Sequence, residues 1–402
     1  MSANMSAKTS ASRGRILMLA PEPVLQPRGT PMSVYHRLRA LSALGYTIDL
    51  ITYPLGAPIE IPGVRVIRVW KPWGLARIKI GPSAPKLLLD AFMIFVAFGC
   101  LLRRRYAAIH SHEEAVFIAA ILSRLFRLPH LYDMHSSLAQ QLDNWRQWYA
   151  PLVRGLAHRM EAWAIGQSDA LITICPALTE YVQKVAPQKP QITIENAATI
   201  DGASDAAHIQ SLRAKHHLDG CQTVVYTGNF EPYQGLELLL ESFVPVFKVR
   251  PQARLVIVGG RDAEIAQKRA WAKVSGVAEG IVFVGTVAPE AVQGYLLLAD
   301  VLASPRITGT NTPLKLYAYL KAGKPIVATD LYTHTQVLTP EVSRLAQPVP
   351  EAFGQALLDV LSDASLARRL GQAGRELADR KFSETTYRER VAKVYELLWS
   401  AA

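Results

Sequence analysis

Short and nearly uninterrupted apolar runs alternate with amphipathic stretches along this chain. In the first half they are RILMLAP (15–21), IDLITYP (48–54), VRVIRVW (64–70), AAIHSH (107–112), HLYDMH (130–135), ALITIC (170–175) and QITIEN (191–196). Runs that are apolar at successive positions, and not at every second one, belong to strands covered on both faces. They predict a parallel sheet with helices on each side. A polar segment around IDGASDAAH interrupts the pattern, and TVVYTG, RLVIVGG, GIVFVGT, DVLASP and PIVATD then restart it. The expected architecture is α/β, with two doubly wound Rossmann-like domains facing a cleft. Their expected extents are residues 14–200 and 221–382, with 201–220 as the connection. Ser383 is placed to N-cap a last helix over 383–402.

Two segments fall outside the alternation. The first thirteen residues, MSANMSAKTSASR, are small and polar, and read as a disordered tail and not as a signal peptide. The run LLLDAFMIFVAFGCLL (87–102) ends at Arg103, Arg104 and Arg105 and contains Asp90. It is shorter than the ~20 residues that cross a bilayer. Two readings stay open for it, a buried domain helix or a helix lying in a membrane interface.

At 402 residues the chain has room for two cores, and with 19% charged residues it is globular and not disordered. Lys plus Arg number 44 against 33 Asp plus Glu, a formal charge of +11, which favours anionic partners. Nucleotide sugars, phospholipid headgroups and pyrophosphate-linked lipids fit. Nucleic acid does not, because no zinc-finger spacing, basic-aromatic ladder or recognition-helix pattern accompanies the charge. Cys100, Cys175 and Cys221 are far apart and form no metal pair, which suits a reducing, cytoplasmic setting, with contact at the inner face of a membrane as an option.

Chemistry concentrates where strands end. TGNFEPYQGLELLL (227–240) and TNTPLKLYAYLKAGKPIVATD (310–330) each open a helix behind a strand, a junction that collects unpaired N–H groups and the positive end of a helix dipole. Two such junctions in one half of the chain suit a diphosphate. RGTPMS (28–33) is a third strand-to-helix loop, before a helix expected near Val34, where Gly29 allows close backbone approach. It either touches a ligand, through Gly29 and Thr30, or is a plain turn. HSHEE (110–114) and DMHSS (133–137) bring His110, His112, Glu113 and His135 to strand ends, which in parallel sheets face the ligand crevice. Each histidine is either functional or a satisfied structural group. His110 and His112 have the alternate spacing of a chelating pair, without a clear further ligand. A dinucleotide-dependent dehydrogenase would carry Gly-x-Gly-x-x-Gly after the first strand, but PEPVLQPRGTPMSV offers only Gly29.

The 227–240 and 310–330 stretches, together with YDMHSS, resemble the family 4 glycosyltransferases, retaining enzymes of the GT-B architecture, and the likeness runs from Arg15 to Trp399. It implies that the last helix crosses back onto the first domain and that His135 contacts the donor sugar. It also implies that Gly228 and its neighbours hold the donor diphosphate. Where the family carries an arginine and a lysine, this chain has Asn229 and Gln234, which donate hydrogen bonds without charge. Lys315, Arg306 and Arg261 are the cations available to compensate. Where the family carries two glutamates ahead of an Ala-Gly-Lys-Pro turn, here 322–325, this chain has Thr310 and Ala318, flanking Pro313. Loss of a ribose-binding carboxylate costs about 1.5–3 kcal/mol of binding. Thr310, Asn311, Thr312, Leu314 and Lys315 stay in line for the phosphates, and His110, His112 and Glu113 for the acceptor. No Asp-x-Asp motif occurs, and GT-B enzymes use dipoles and side-chain cations instead of a metal, so neither metal nor cofactor is expected. The function expected is retaining transfer of a sugar from an activated donor, a nucleotide sugar, to a glycan or lipid-linked acceptor. A polyprenyl-phosphate donor, or a non-catalytic glycan- or partner-binding protein, are the alternatives.

Overall fold

A computed structural model describes residues 13–25, 29–73, 84–137, 151–198 and 205–401. It divides into two compact units, one of residues 1–196 with 387–402 and one of residues 197–386. The seven parallel strands of the first unit are β1 (Arg15–Ala20), β2 (Thr47–Thr52), β3 (Val64–Arg68), β4 (Ala108–His112), β5 (His130–Met134), β6 (Ala170–Thr173) and β7 (Gln191–Thr193). Their spatial order is β3-β2-β1-β4-β5-β6-β7. In the second unit β8 (Gln222–Thr227), β9 (Ala253–Val258), β10 (Ile281–Gly285), β11 (Val301–Ser304), β12 (Ile326–Thr329) and β13 (Arg344–Ala346) lie in the order β10-β9-β8-β11-β12-β13. Both sheets are doubly wound, each reversing direction between its first and fourth strands, and ligands of such sheets bind outside the carboxyl ends of the strands at that switch point. β1 and β4 flank the switch in the first unit, and β8 and β11 in the second.

The apolar runs become strands because both faces are covered. Ile16, Leu17, Met18 and Leu19 are fully buried in β1, as are Val224, Val225 and Tyr226 in β8. One layer of the first unit holds the helices Ala84–Arg103, Ala115–Phe126 and Pro151–Gln167. The closing helix, Glu384–Ala401, is capped by the Ser383 hydroxyl, which accepts from the Thr386 N–H at 3.2 Å. From Tyr387 onward it belongs to the first unit, where Tyr395 is buried and its hydroxyl meets His110 Nδ1 at 2.9 Å.

Two details depart from the sequence reading. The segment expected to be a connection holds the helix Ala206–Lys215, N-capped by Asp205, and Leu212 joins the core of the second unit. The helix expected near Val34 begins at Gly29, so most of RGTPMS is its first turn and Pro31 sits where a missing N–H costs nothing. Arg28 and most of the tail lie outside the described residues.

Candidate active-site groups and family

At the switch point of the second unit, β8 runs into Gly228, whose φ of +149° suits glycine, and whose N–H donates to Val258 O at 3.0 Å. A Cβ there would come within 3.0 Å of the Tyr226 hydroxyl and 3.6 Å of Lys315 Nζ, so the loop needs glycine for space as well. Lys315 begins the helix Lys315–Ala322 and reaches back over β8. Its Nζ lies 4.2 Å from the centre of the Tyr226 ring and donates to Thr227 O at 3.3 Å. Burial, with the nearby Arg306 charge, pushes this ammonium down to about 7. From the same helix Tyr319 anchors the end of β8, its hydroxyl oxygen accepting from the Thr227 N–H at 3.0 Å.

The loop after β11 folds around one arginine. Arg306 donates through Nε to Thr308 O at 2.8 Å and through Nη1 to Asn311 O at 3.3 Å, while its guanidinium lies 5.0 Å from the centre of the Tyr233 ring. Gly235, at φ +70°, passes so close that a Cβ would lie 2.0 Å from Pro305 O. The loops carrying Gln234 and Arg306 are therefore in van der Waals contact. Two buried polar atoms here, Gln234 Oε1 and Thr312 Oγ1, have no hydrogen-bond partner among the described residues. Asn311 is half-buried and Thr310 exposed, with its carbonyl accepting from Gln336 Nε2 at 2.7 Å. Leu314 precedes the helix Lys315–Ala322, and in its first turn the Leu316 and Tyr317 N–H groups donate to Pro313 O at 3.0 Å and Leu314 O at 3.3 Å.

The sequence reading missed His334. Fully buried, it bridges Ser304 Oγ at 2.8 Å and Thr329 Oγ1 at 2.9 Å, and burial pushes it down to about 3, so it is a neutral brace between β11 and β12. Arg261 does not join the group. It pairs with Glu264 at 2.5 Å at the start of the helix Asp262–Val274.

In the first unit the strand-end residues separate into an inner and an outer set. His110 and His112 are fully buried and His135 is 3% exposed, which corrects the expectation that they face a ligand openly. The cause is Asp133, on β5 and also fully buried, which the sequence reading passed over. Its carboxylate accepts from Arg37 Nε at 2.8 Å and lies 3.4 Å from His110 Nε2, 3.7 Å from His112 Nδ1 and 3.3 Å from His135 Nε2. His112 Nδ1 and His135 Nε2 share a hydrogen bond of 3.0 Å. Burial lowers all three histidines, His135 to about 4, so they are neutral rings around an Arg37–Asp133 ion pair. His110, His112 and Asp133 offer donor atoms within 4.8 Å of one another, close enough for one metal ion. The Arg37 guanidinium already neutralises that carboxylate, and a second cation beside it would be repelled.

The outer set is Glu113 with Thr30 and Ser136. Glu113 follows β4 at a positive φ of +46°, strain that a non-glycine residue carries at some cost. Its carboxylate accepts from Thr30 Oγ1 at 3.1 Å and Ser136 Oγ at 2.7 Å, linking the ends of β4 and β5 to the helix Gly29–Ala43 across the switch point. Burial, with the neighbouring Glu114 charge, raises it to about 7. Gly29 is exposed on the first turn of that helix.

Comparisons with known proteins agree with this layout. Residues 28–197 match the model of the glycosyl transferase 4-like domain, and residues 221–363 match that of the glycosyl transferases group 1. The phosphatidyl-myo-inositol mannosyltransferase of Mycobacterium leprae is 25% identical over 402 residues, covering 95% of this chain and 96% of that protein. Sucrose-phosphate synthase from Thermosynechococcus elongatus superposes with a TM-score of 0.76 at 19% identity, covering 97% of this chain and all of that one. Anabaena HepE in complex with UDP-glucose does so with a TM-score of 0.72 at 16% identity, covering 95% of this chain and 99% of that one. The two matched regions take in β4, β8 and β11 and the candidate residues around them, and the chain belongs to the family 4-like glycosyltransferases of GT-B architecture.

Proposed function

We propose that this glycosyltransferase moves a sugar from a nucleoside diphosphate donor to a glycan or lipid-linked acceptor with retention of anomeric configuration. Lys315 carries the reading. A half-buried ammonium, fixed against Thr227 O and the Tyr226 ring beside the Gly228 loop, supplies positive charge where Asn229 and Gln234 have none. A charge-assisted contact in a sheltered site is worth about twice a neutral one. Gly228 admits a phosphate to the backbone, the positive end of the helix Lys315–Ala322 dipole favours the same charge, and the orphaned Thr312 and Gln234 oxygens accept from ligand hydroxyls. Arg306 holds the loop in shape through Thr308 O and Asn311 O.

In the proposed reaction the acceptor hydroxyl oxygen bonds to the anomeric carbon on the face from which the diphosphate departs. The carbon–oxygen bond to the diphosphate breaks, and the hydroxyl proton passes to a leaving phosphate oxygen. Lys315 and the helix dipole stabilise the charge that grows on that group. In the first unit, Glu113 and Thr30 are the hydroxyl-binding groups, and the Arg37–Asp133–histidine cluster positions His135. The complex of Anabaena HepE with UDP-glucose supports a nucleotide sugar as the donor class. One observation favours a donor without ribose: Ala318, where the family has a carboxylate, packs against the second unit's core. Calorimetric titration with uridine and guanosine diphosphates and with a polyprenyl phosphate analogue tests the reading. Binding of a nucleotide that is lost in Lys315→Met supports it, and binding of the polyprenyl phosphate alone overturns it.

A further inference from the structure

From residue 91 to 102 the helix Ala84–Arg103 is apolar all round, yet only one stripe of the helix is packed. Leu89, Met93, Ala97 and Leu101 are buried against the first unit's core, while Leu87, Phe95 and Leu102 on the outer side are 72%, 75% and 66% exposed. The same outer surface continues onto the neighbouring helix Ala115–Phe126, where Ile121 and Leu125 are 62% and 63% exposed. Phe98 and Phe126, 5.6 Å apart, join the two helices edge to face. Four exposed arginines, Arg103, Arg105, Arg124 and Arg127, lie at the ends of these helices. Among the described residues none of the four has an ion-pair partner.

We propose that this two-helix face is a docking surface for an anionic lipid bilayer, with the exposed leucines and phenylalanine in the acyl boundary and the arginines at the headgroups. A monomeric soluble protein rarely leaves so contiguous an apolar surface uncovered. A protein partner is a poorer occupant, because residues 91–102, AFMIFVAFGCLL, contain no strong hydrogen-bonding side chain, whereas a protein interface carries about one hydrogen bond per 100–200 Å². A second copy of the chain would bring four more unpaired arginines to the same rim. Anionic lipid complements both features, since it offers apolar depth and a layer of negative charge. The helix has the length and composition to cross a membrane, but spanning would strip Leu89, Met93, Ala97 and Leu101 from the core that covers them. The surface therefore lies in the interface plane and does not span.

Flotation of the full chain with vesicles of phosphatidylcholine, with and without phosphatidylglycerol, at low and high salt, tests the proposal independently of any activity. Binding is expected to anionic vesicles at low salt and to be reversed by high salt. Arg103→Gln with Arg105→Gln should weaken it by about thirtyfold. Phe95→Glu with Leu125→Glu should abolish it, while Val274→Glu, at a 91% exposed position in the second unit, should leave it unchanged. Thermal melting establishes that each variant is folded, and the arginine pair serves alone if the glutamate pair is not. No binding by the parent, equal binding by the arginine pair, or binding that resists high salt would overturn the proposal. So would a dimer in sedimentation that the glutamate pair dissociates.

Discussion

The role proposed for Lys315 makes donor binding a function of pH, with a sign and a size that follow from the burial of its ammonium. Its ammonium is pushed down to about 7 by burial and by Arg306, the charge that faces it from the loop after β11, while the nearby His334 is neutral. The folded value is below the 10.5 of a free lysine, so the unfolded chain binds the extra proton between these two pH values. Stability should therefore rise as pH climbs from about 7 toward 10.5, and Lys315→Met should be more stable than the parent at pH 7 and below. Binding runs the other way. A diphosphate selects the protonated form, whose population falls roughly a hundredfold between pH 6 and pH 9, an upper limit for the loss of affinity. Loss of one charge-assisted hydrogen bond, about 1.5–3 kcal/mol, sets the lower limit at about tenfold. A nucleotide sugar is the correct probe, since its esterified diphosphate does not ionise in this range. Calorimetry in buffers of different ionisation enthalpy should show proton uptake on binding near pH 8 and weakening with pH in the parent. Lys315→Met should bind weakly and without pH dependence. A flat profile in the parent, or unchanged affinity in the variant, would refute the role given to this cation.

Three other outcomes follow from the buried groups. Arg37→Met leaves the Asp133 carboxylate buried without its guanidinium, and breaking such a pair costs about 3–5 kcal/mol, which chemical denaturation of the first unit's transition would register. His130 and His135 are depressed to about 3 and about 4, so the unfolded chain binds their protons first and stability falls as pH drops below 6.5; each contributes a loss of roughly 2 kcal/mol by pH 5, and denaturant midpoints across this range should fall to match. Ala318→Glu should tighten UDP or GDP by up to about tenfold if a ribose lies beside position 318, and weaken binding if the donor has none, because a carboxylate would then stand unpaired near phosphate.

All the strands but β13 were legible because burial on both faces leaves an unbroken apolar run, and the parallel, doubly wound arrangement followed from alternation with helices. The turn at Gly228 and the helix start at Lys315 were legible for a related reason, since a glycine at a strand end and a helix start behind a strand announce tight strand-to-helix junctions. The first unit's network was not. Asp133 sits in HLYDMH as one polar residue within a strand, and nothing local says that Arg37, ninety-six positions earlier, comes to meet it. A buried ion pair is a long-range fact, and it reassigns the histidines from open contacts to neutral, packed rings. His334 escaped notice for the same reason, its partners Ser304 and Thr329 lying on two separate strands. The helix Ala206–Lys215 was hidden by a polar composition with a single buried side chain, Leu212, and by a weak amphipathic pattern.

The central claim, retaining transfer from a nucleoside diphosphate sugar, can be tested without knowing the acceptor. Proton NMR during slow hydrolysis of α-linked UDP- and GDP-sugars follows the anomeric signal of the first sugar released, before mutarotation mixes the anomers. The account predicts that the α-anomer appears first, and that Lys315→Met releases it much more slowly. Release of the β-anomer first, or turnover that Lys315→Met leaves unchanged, would contradict it.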